Sequence, residues 1–73
     1  MFLDPMKFVR KDQTAFEIEP VLILGDEENP NRVVVRVWKD GVVINDPKSV
    51  VFSNENDAFD AGIVFCRAWK ERV

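Results

Sequence analysis

Residues 54–73, NENDAFDAGIVFCRAWKERV, read as one amphipathic helix, and that reading decides the fold. At about 100° per residue, Ala58, Phe59, Ala61, Gly62, Ile63, Phe65, Cys66, Ala68, Trp69 and Val73 share an arc wider than half the circumference. Asp60, Arg67, Lys70 and Glu71 form the wet stripe, with Arg72 interrupting the other side. The helix is expected to start at Ser53 or Asn54; with Asn54 as the N-cap, Glu55 and Asp57 meet the positive end of the macrodipole. Lys70 and Arg72 fall in the last turn, where cations are favoured, which predicts a helix over 54–72. Gly62 costs about 1 kcal/mol in a helix interior relative to alanine, so close approach to a sheet or a second helix is its expected use. One small sheet covers a stripe of somewhat over ~100°. The surplus predicts a second cover, with Val64 and Trp69 as candidate interface residues.

Moving outward, residues 50–52 (VVF) read as a last short strand before the helix, and residues 45–49 (NDPKS) as a break. Upstream lies the best hairpin signal. Residues 32–39 are rich in β-branched side chains, Asp40-Gly41 suits a two-residue type I′ turn, and residues 42–44 return. That turn pairs Lys39 with Val42, Trp38 with Val43 and Val37 with Ile44. Val33, Val35, Val37, Ile44 and Val42 then face the core, and Arg32, Val34, Arg36, Trp38 and Val43 face the other way. Residues 25–31 (GDEENPN) form a loop by every local signal. Residues 6–11 and 15–19 alternate as half-buried strands about a polar turn at 12–14. Pro20 removes a ladder donor, so the chain is expected to bend there or to lie at a sheet edge. Residues 21–24 (VLIL) are apolar on both faces, which makes Val21 and Ile23 candidate interface residues as well.

The expected fold is α+β: an antiparallel sheet of four or five short strands followed by one C-terminal helix on one face, β-β-β-β-(β)-α. Seventy-three residues make one domain, with residues 1–5 an extended arm, 6–52 the sheet and 54–72 the helix. One cysteine excludes an internal disulfide, and the absence of histidine removes the usual zinc-site ligands. The N-terminal apolar residues are too few for a signal-peptide core, and residues 21–24 fall far short of the ~20 that span a bilayer. A soluble cytoplasmic protein with no membrane contact is the expectation.

Nothing in the chain specifies catalysis, a metal or a cofactor. Cys66 lies on the apolar side of the helix with no histidine to activate it, so burial is its expected role. Asp26, Glu27 and Glu28 lack the alternating oxygen ligands of a calcium loop and read as a solvated acidic turn, or as an electrostatic contact for a basic partner. Glu17 and Glu19 read as exposed. Arg32, Arg36 and Trp38 form the candidate nucleic-acid face, because bases stack on an aromatic ring while arginines meet phosphates. The alternative is that Trp38 packs on arginine stems or on a second copy of the chain. Net charge of −3 and a pI near 4.8 count against nonspecific nucleic-acid binding.

From Glu55 to Trp69 the chain resembles small bacterial and phage domains of unknown function whose helix runs E-x-x-A-x-x-A/G-x-x-x-A/C-R-x-W/F. That resemblance implies the strand–helix architecture and no activity. The β-β-β-β-α order is also similar to the transcription-coactivator family that binds single-stranded DNA as dimers, from which this chain differs in being acidic and lacking lysine-rich strands. The expected function is a non-enzymatic binding or regulatory domain, acting by protein–protein contact as a homodimer or with another protein. Single-stranded nucleic-acid binding is the second reading.

Overall fold

The computed structural model describes residues 4–25 and 32–70, and its register is anchored at Asp40-Gly41. Both residues have positive φ, 53° and 79°, as a type I′ turn requires. Around that turn Lys39 pairs with Val42 and Trp38 with Val43, and the Ile44 N–H donates to Val37 O at 2.9 Å. The sheet is an antiparallel meander of β1 (Met6–Val9), β2 (Ala15–Ile23), β3 (Arg32–Lys39) and β4 (Val42–Val43), in that spatial order. One helix, α1 (Glu55–Ala68), follows and lies across β2 and β3. This is the expected α+β arrangement.

Pro20 lies at a sheet edge, one of the two expected settings. β2 runs through it, and the ring is fully buried. β1 ends opposite Ile18, so from Glu19 onward β2 has only β3 beside it. Pro20 pairs with Val35, whose carbonyl accepts on the far edge of β3 from Asn45 Nδ2 at 2.9 Å. Paired antiparallel residues turn their amides the same way relative to each other, so the Pro20 nitrogen points off the sheet edge, where a missing donor breaks no ladder bond with β3.

The expected break at 45–49 is present, and Asn45 has a further role in it. Its Oδ1 accepts from Val37 N–H at 2.8 Å while its Nδ2 donates to Val35 O, so one side-chain amide stands in for a strand peptide. The chain then leaves the edge through a turn in which Asp46 Oδ1 accepts from Lys48 N–H and Asp46 O from Ser49 N–H. It returns only at Phe52, which exchanges both backbone bonds with Val33. The fifth strand expected at 50–52 is therefore a single bridge, and Val50 and Val51 are exposed.

The core lies between sheet and helix: Phe16, Ile18, Val33, Val35, Val37, Ala58 and Cys66 are buried together. Val42 keeps the expected face but is 59% exposed, because the hairpin tip extends beyond the helix. Asn54 caps the helix, its Oδ1 accepting from Asp57 N–H at 2.8 Å. Ala58, Gly62 and Cys66 form the buried stripe at a spacing of one turn. Phe59, Ala61, Ile63 and Phe65 flank it half-buried. The surplus apolar arc is thus mostly absorbed within one copy. Val64 is 64% exposed and points away from the sheet, with Asp60 and Arg67 among its neighbours on the helix surface.

The helix stops at Ala68 rather than 72, with Trp69 extended at ψ 136°. Lys70 therefore lies past the end, Arg67 is the basic residue of the last turn, and Arg72 is outside the described residues. Arg10 explains the stop. It sits at the first hairpin, held by Arg10 N–H to Thr14 O and Gln13 N–H to Arg10 O, with Gln13 at φ 71°. Its Nη1 donates to Cys66 O at 2.9 Å and Trp69 O at 2.5 Å, satisfying carbonyls that a helix end leaves open. Asp12 orients it, accepting from Nη2 at 2.6 Å and Nε at 3.2 Å. The guanidinium lies 5.5 Å from the Phe16 ring centroid and 5.9 Å from that of Trp69. Those hydrogen bonds, with one from Thr14 N–H, hold the Asp12 carboxyl well below the usual carboxylate range.

Candidate functional site

The helix covers one face of the sheet; the described residues place nothing helical on the other. Alternation along each strand assigns that open face. Across all four strands runs a row of Lys7, Glu17, Trp38 and Val43. Beside it lie the pairs Glu19–Arg36, Val21–Val34 and Ile23–Arg32, and at the other end Val9–Ala15. A sheet face turned to water ordinarily alternates with the core face by being polar. Here Val9, Val21, Ile23, Val34, Trp38 and Val43 make it half apolar. Val34 is 7% exposed although it does not belong to the core cluster, whereas Val9 and Ile23 are 49% and 46% exposed.

Glu19 organises the centre of this face. Its Oε1 accepts from Trp38 Nε1 at 3.1 Å and lies 3.6 Å from Arg36 Nη1. The Glu19 side chain is 19% exposed, so the sequence reading of a merely solvated carboxylate is corrected. Trp38 is half-buried, with its indole donor satisfied inside the sheet. With Glu17 directly opposite Trp38, carboxylates sit among the arginines, and the face carries both signs of charge.

The structure thus unites residues that the sequence treated as two sites. Val21 and Ile23 share the open face with Arg32, Arg36 and Trp38. Val64 and Trp69 do not join them. Val64 lies on the outer side of the helix. Trp69 packs edge-on against Phe16 at 5.8 Å between centroids, with Lys39 Nζ 5.3 Å from its ring, and belongs to the rim of the core. The parts that sequence reasoning missed are Glu19 as an anchor and Lys7 and Val9 as neighbours. Both depend on the β1–β2–β3 register, and the loop joining β2 to β3 is too long to fix it as Asp40-Gly41 fixes the next hairpin.

Cys66 is fully buried, and burial pushes its thiol up to about 11 against the pull of the Arg10 charge. A thiol so placed is a packing group rather than a nucleophile. Asp26, Glu27 and Glu28 lie outside the described residues, among which no cluster of carboxylate or thiol groups is arranged to hold a metal ion. No helix among the described residues is long and apolar enough to cross a membrane. Comparison with protein-family models, curated proteins and solved structures finds no match.

Proposed function

We propose that this chain is a non-enzymatic binding domain that acts through the helix-free face of its sheet, with a second copy of itself as the occupant. The observation that carries this reading is the half-apolar face around Val21, Val34 and Trp38, on the side of the sheet where the described residues place no helix. Its charges favour a two-fold contact. Lys7, Arg32 and Arg36 share the face with Glu17 and Glu19, so a rotated copy can bring opposite charges together. A polyanion gains nothing from those carboxylates, which places nucleic-acid binding through Arg32, Arg36 and Trp38 second.

Backbone amide and indole shifts followed on dilution test the reading. Concentration-dependent shifts confined to Val9, Glu19, Val21, Arg36 and Trp38 support it. Shifts on the helix face instead, or none, overturn it. Salt-dependent shifts with a single-stranded oligonucleotide, lost in Trp38→Ala, would replace it with the nucleic-acid reading.

A further inference from the structure

A second feature lies where the first hairpin meets the end of the helix. An open cleft of about 860 Å³ runs between β1 and the segment after α1. Phe8, Val9 and Trp69 supply its apolar wall, and Lys11, Arg67 and Lys70, all exposed, supply its rim. Arg10 and Asp12 complete it, already bonded to each other. Among the described residues, four cations against one carboxylate line this cleft, in a chain whose net charge is −3. The partial negative charge expected at a helix C-terminus is also muted, since Arg10 takes the carbonyls of Cys66 and Trp69.

We propose that this cleft binds a small organic anion: a phosphate or carboxylate carried on an aromatic or similarly apolar body. The volume falls within the ~300–1,000 Å³ of small-molecule sites, and the lining has their combination of apolar wall and few charged groups. A bare inorganic anion would leave the wall of Phe8 and Trp69 unused. A long nucleic-acid strand would run off the cationic rim onto an acidic protein, whose sheet face carries Glu17 and Glu19 and whose helix carries Asp57 and Asp60. Among the described lining residues only Val9 also belongs to the open sheet face, so the site does not need that face to pair with a second copy.

The test is an amide-resolved titration of the full chain with adenosine 5′-monophosphate and with 3-phenylpropionate, the two arms separating phosphate from carboxylate sources. Adenosine and inorganic phosphate are the controls. Saturable shifts at Lys11, Arg67 and the Trp69 indole, from at least one of the two organic anions, are expected. Binding should weaken roughly tenfold or more in Lys11→Glu/Lys70→Glu, whose sites are exposed and outside every helix and strand. An unchanged melting curve shows that the variant folds. Silence from both anions at about 10 mM overturns the proposal. So do equal responses to either control, or an unweakened double variant.

Discussion

Replacing Gly62 by alanine sets two well-characterised effects against each other, and the structure decides the sign. In a solvated helix, glycine to alanine stabilises by about 1 kcal/mol through reduced backbone entropy. At position 62 a Cβ would stand 2.6 Å from Ile18 Cγ2, 3.4 Å from Val35 Cγ2 and 3.5 Å from Ile18 Cδ1. The closest of these is a short, branched methyl on a fully buried side chain, which cannot swing aside as a long flexible one could. Overpacking of this kind costs about 1–3 kcal/mol, and so close an approach belongs in the upper half of that range. The net expectation for Gly62→Ala is a loss of about 1–2 kcal/mol. For a domain of this size that lowers Tm by roughly 5–15 °C, read from a reversible thermal melt by circular dichroism. Ile18→Leu removes the offending branch, so Gly62→Ala should cost less in an Ile18→Leu background than in the wild type. If Gly62→Ala raised Tm, helix propensity would be dominant and the close packing of helix on sheet would be wrong.

Other residues give equally direct tests. Arg10→Met keeps the apolar stem but removes the donors to Cys66 O and Trp69 O; a lower midpoint in urea unfolding is expected, with Arg10→Lys intermediate. Asn45→Asp keeps the acceptor for Val37 N–H but loses the donor to Val35 O, and should cost about 1–2 kcal/mol near neutral pH, whereas a purely solvated Asn45 would tolerate it. Asp12 is held low in the folded state, so its contribution is present above the unfolded carboxylate range and is lost as pH falls; Asp12→Asn should flatten the acid limb of stability against pH. Cys66 runs the opposite way. Its thiol ionises near 11 folded and near 9.0 unfolded, so stability should fall as pH rises between those values, and Cys66→Ala should abolish that slope.

What the sequence made legible was local. Asp40-Gly41 carries its own turn geometry, Asn54 its own cap, and Gly62 its own demand for close contact, so hairpin register, helix start and helix–sheet packing all followed from neighbouring residues. What stayed hidden was carried by distant partners. Arg10 ends the helix from 56 residues away, and no helical pattern encodes that stop. Asn45 sits among turn-forming residues, and only the tertiary position of β3 turns its amide into a substitute strand. Pro20 is expected from sequence at a bend or a sheet edge, and the choice of the edge rests on where β1 ends, which cannot be read from β2. The wide apolar arc of the helix implied an interface there, yet Phe52, Phe8 and the sheet flanks absorb its sides. The open face emerged only once Val21 and Ile23 were registered against Arg32, Val34 and Arg36.

The most direct check on that face is the mass of the protein in solution. Light scattering across a concentration series up to about 1 mM should give about 17 kDa, twice the 8.4 kDa chain, at the upper end. Val21→Lys, on the helix-free side, should return the mass to that of one chain without lowering Tm, while Val64→Lys on the helix should leave the dimer intact. A wild-type protein that stays at 8.4 kDa throughout, or a dimer broken by Val64→Lys and not by Val21→Lys, would contradict the assignment of the sheet face as the contact surface.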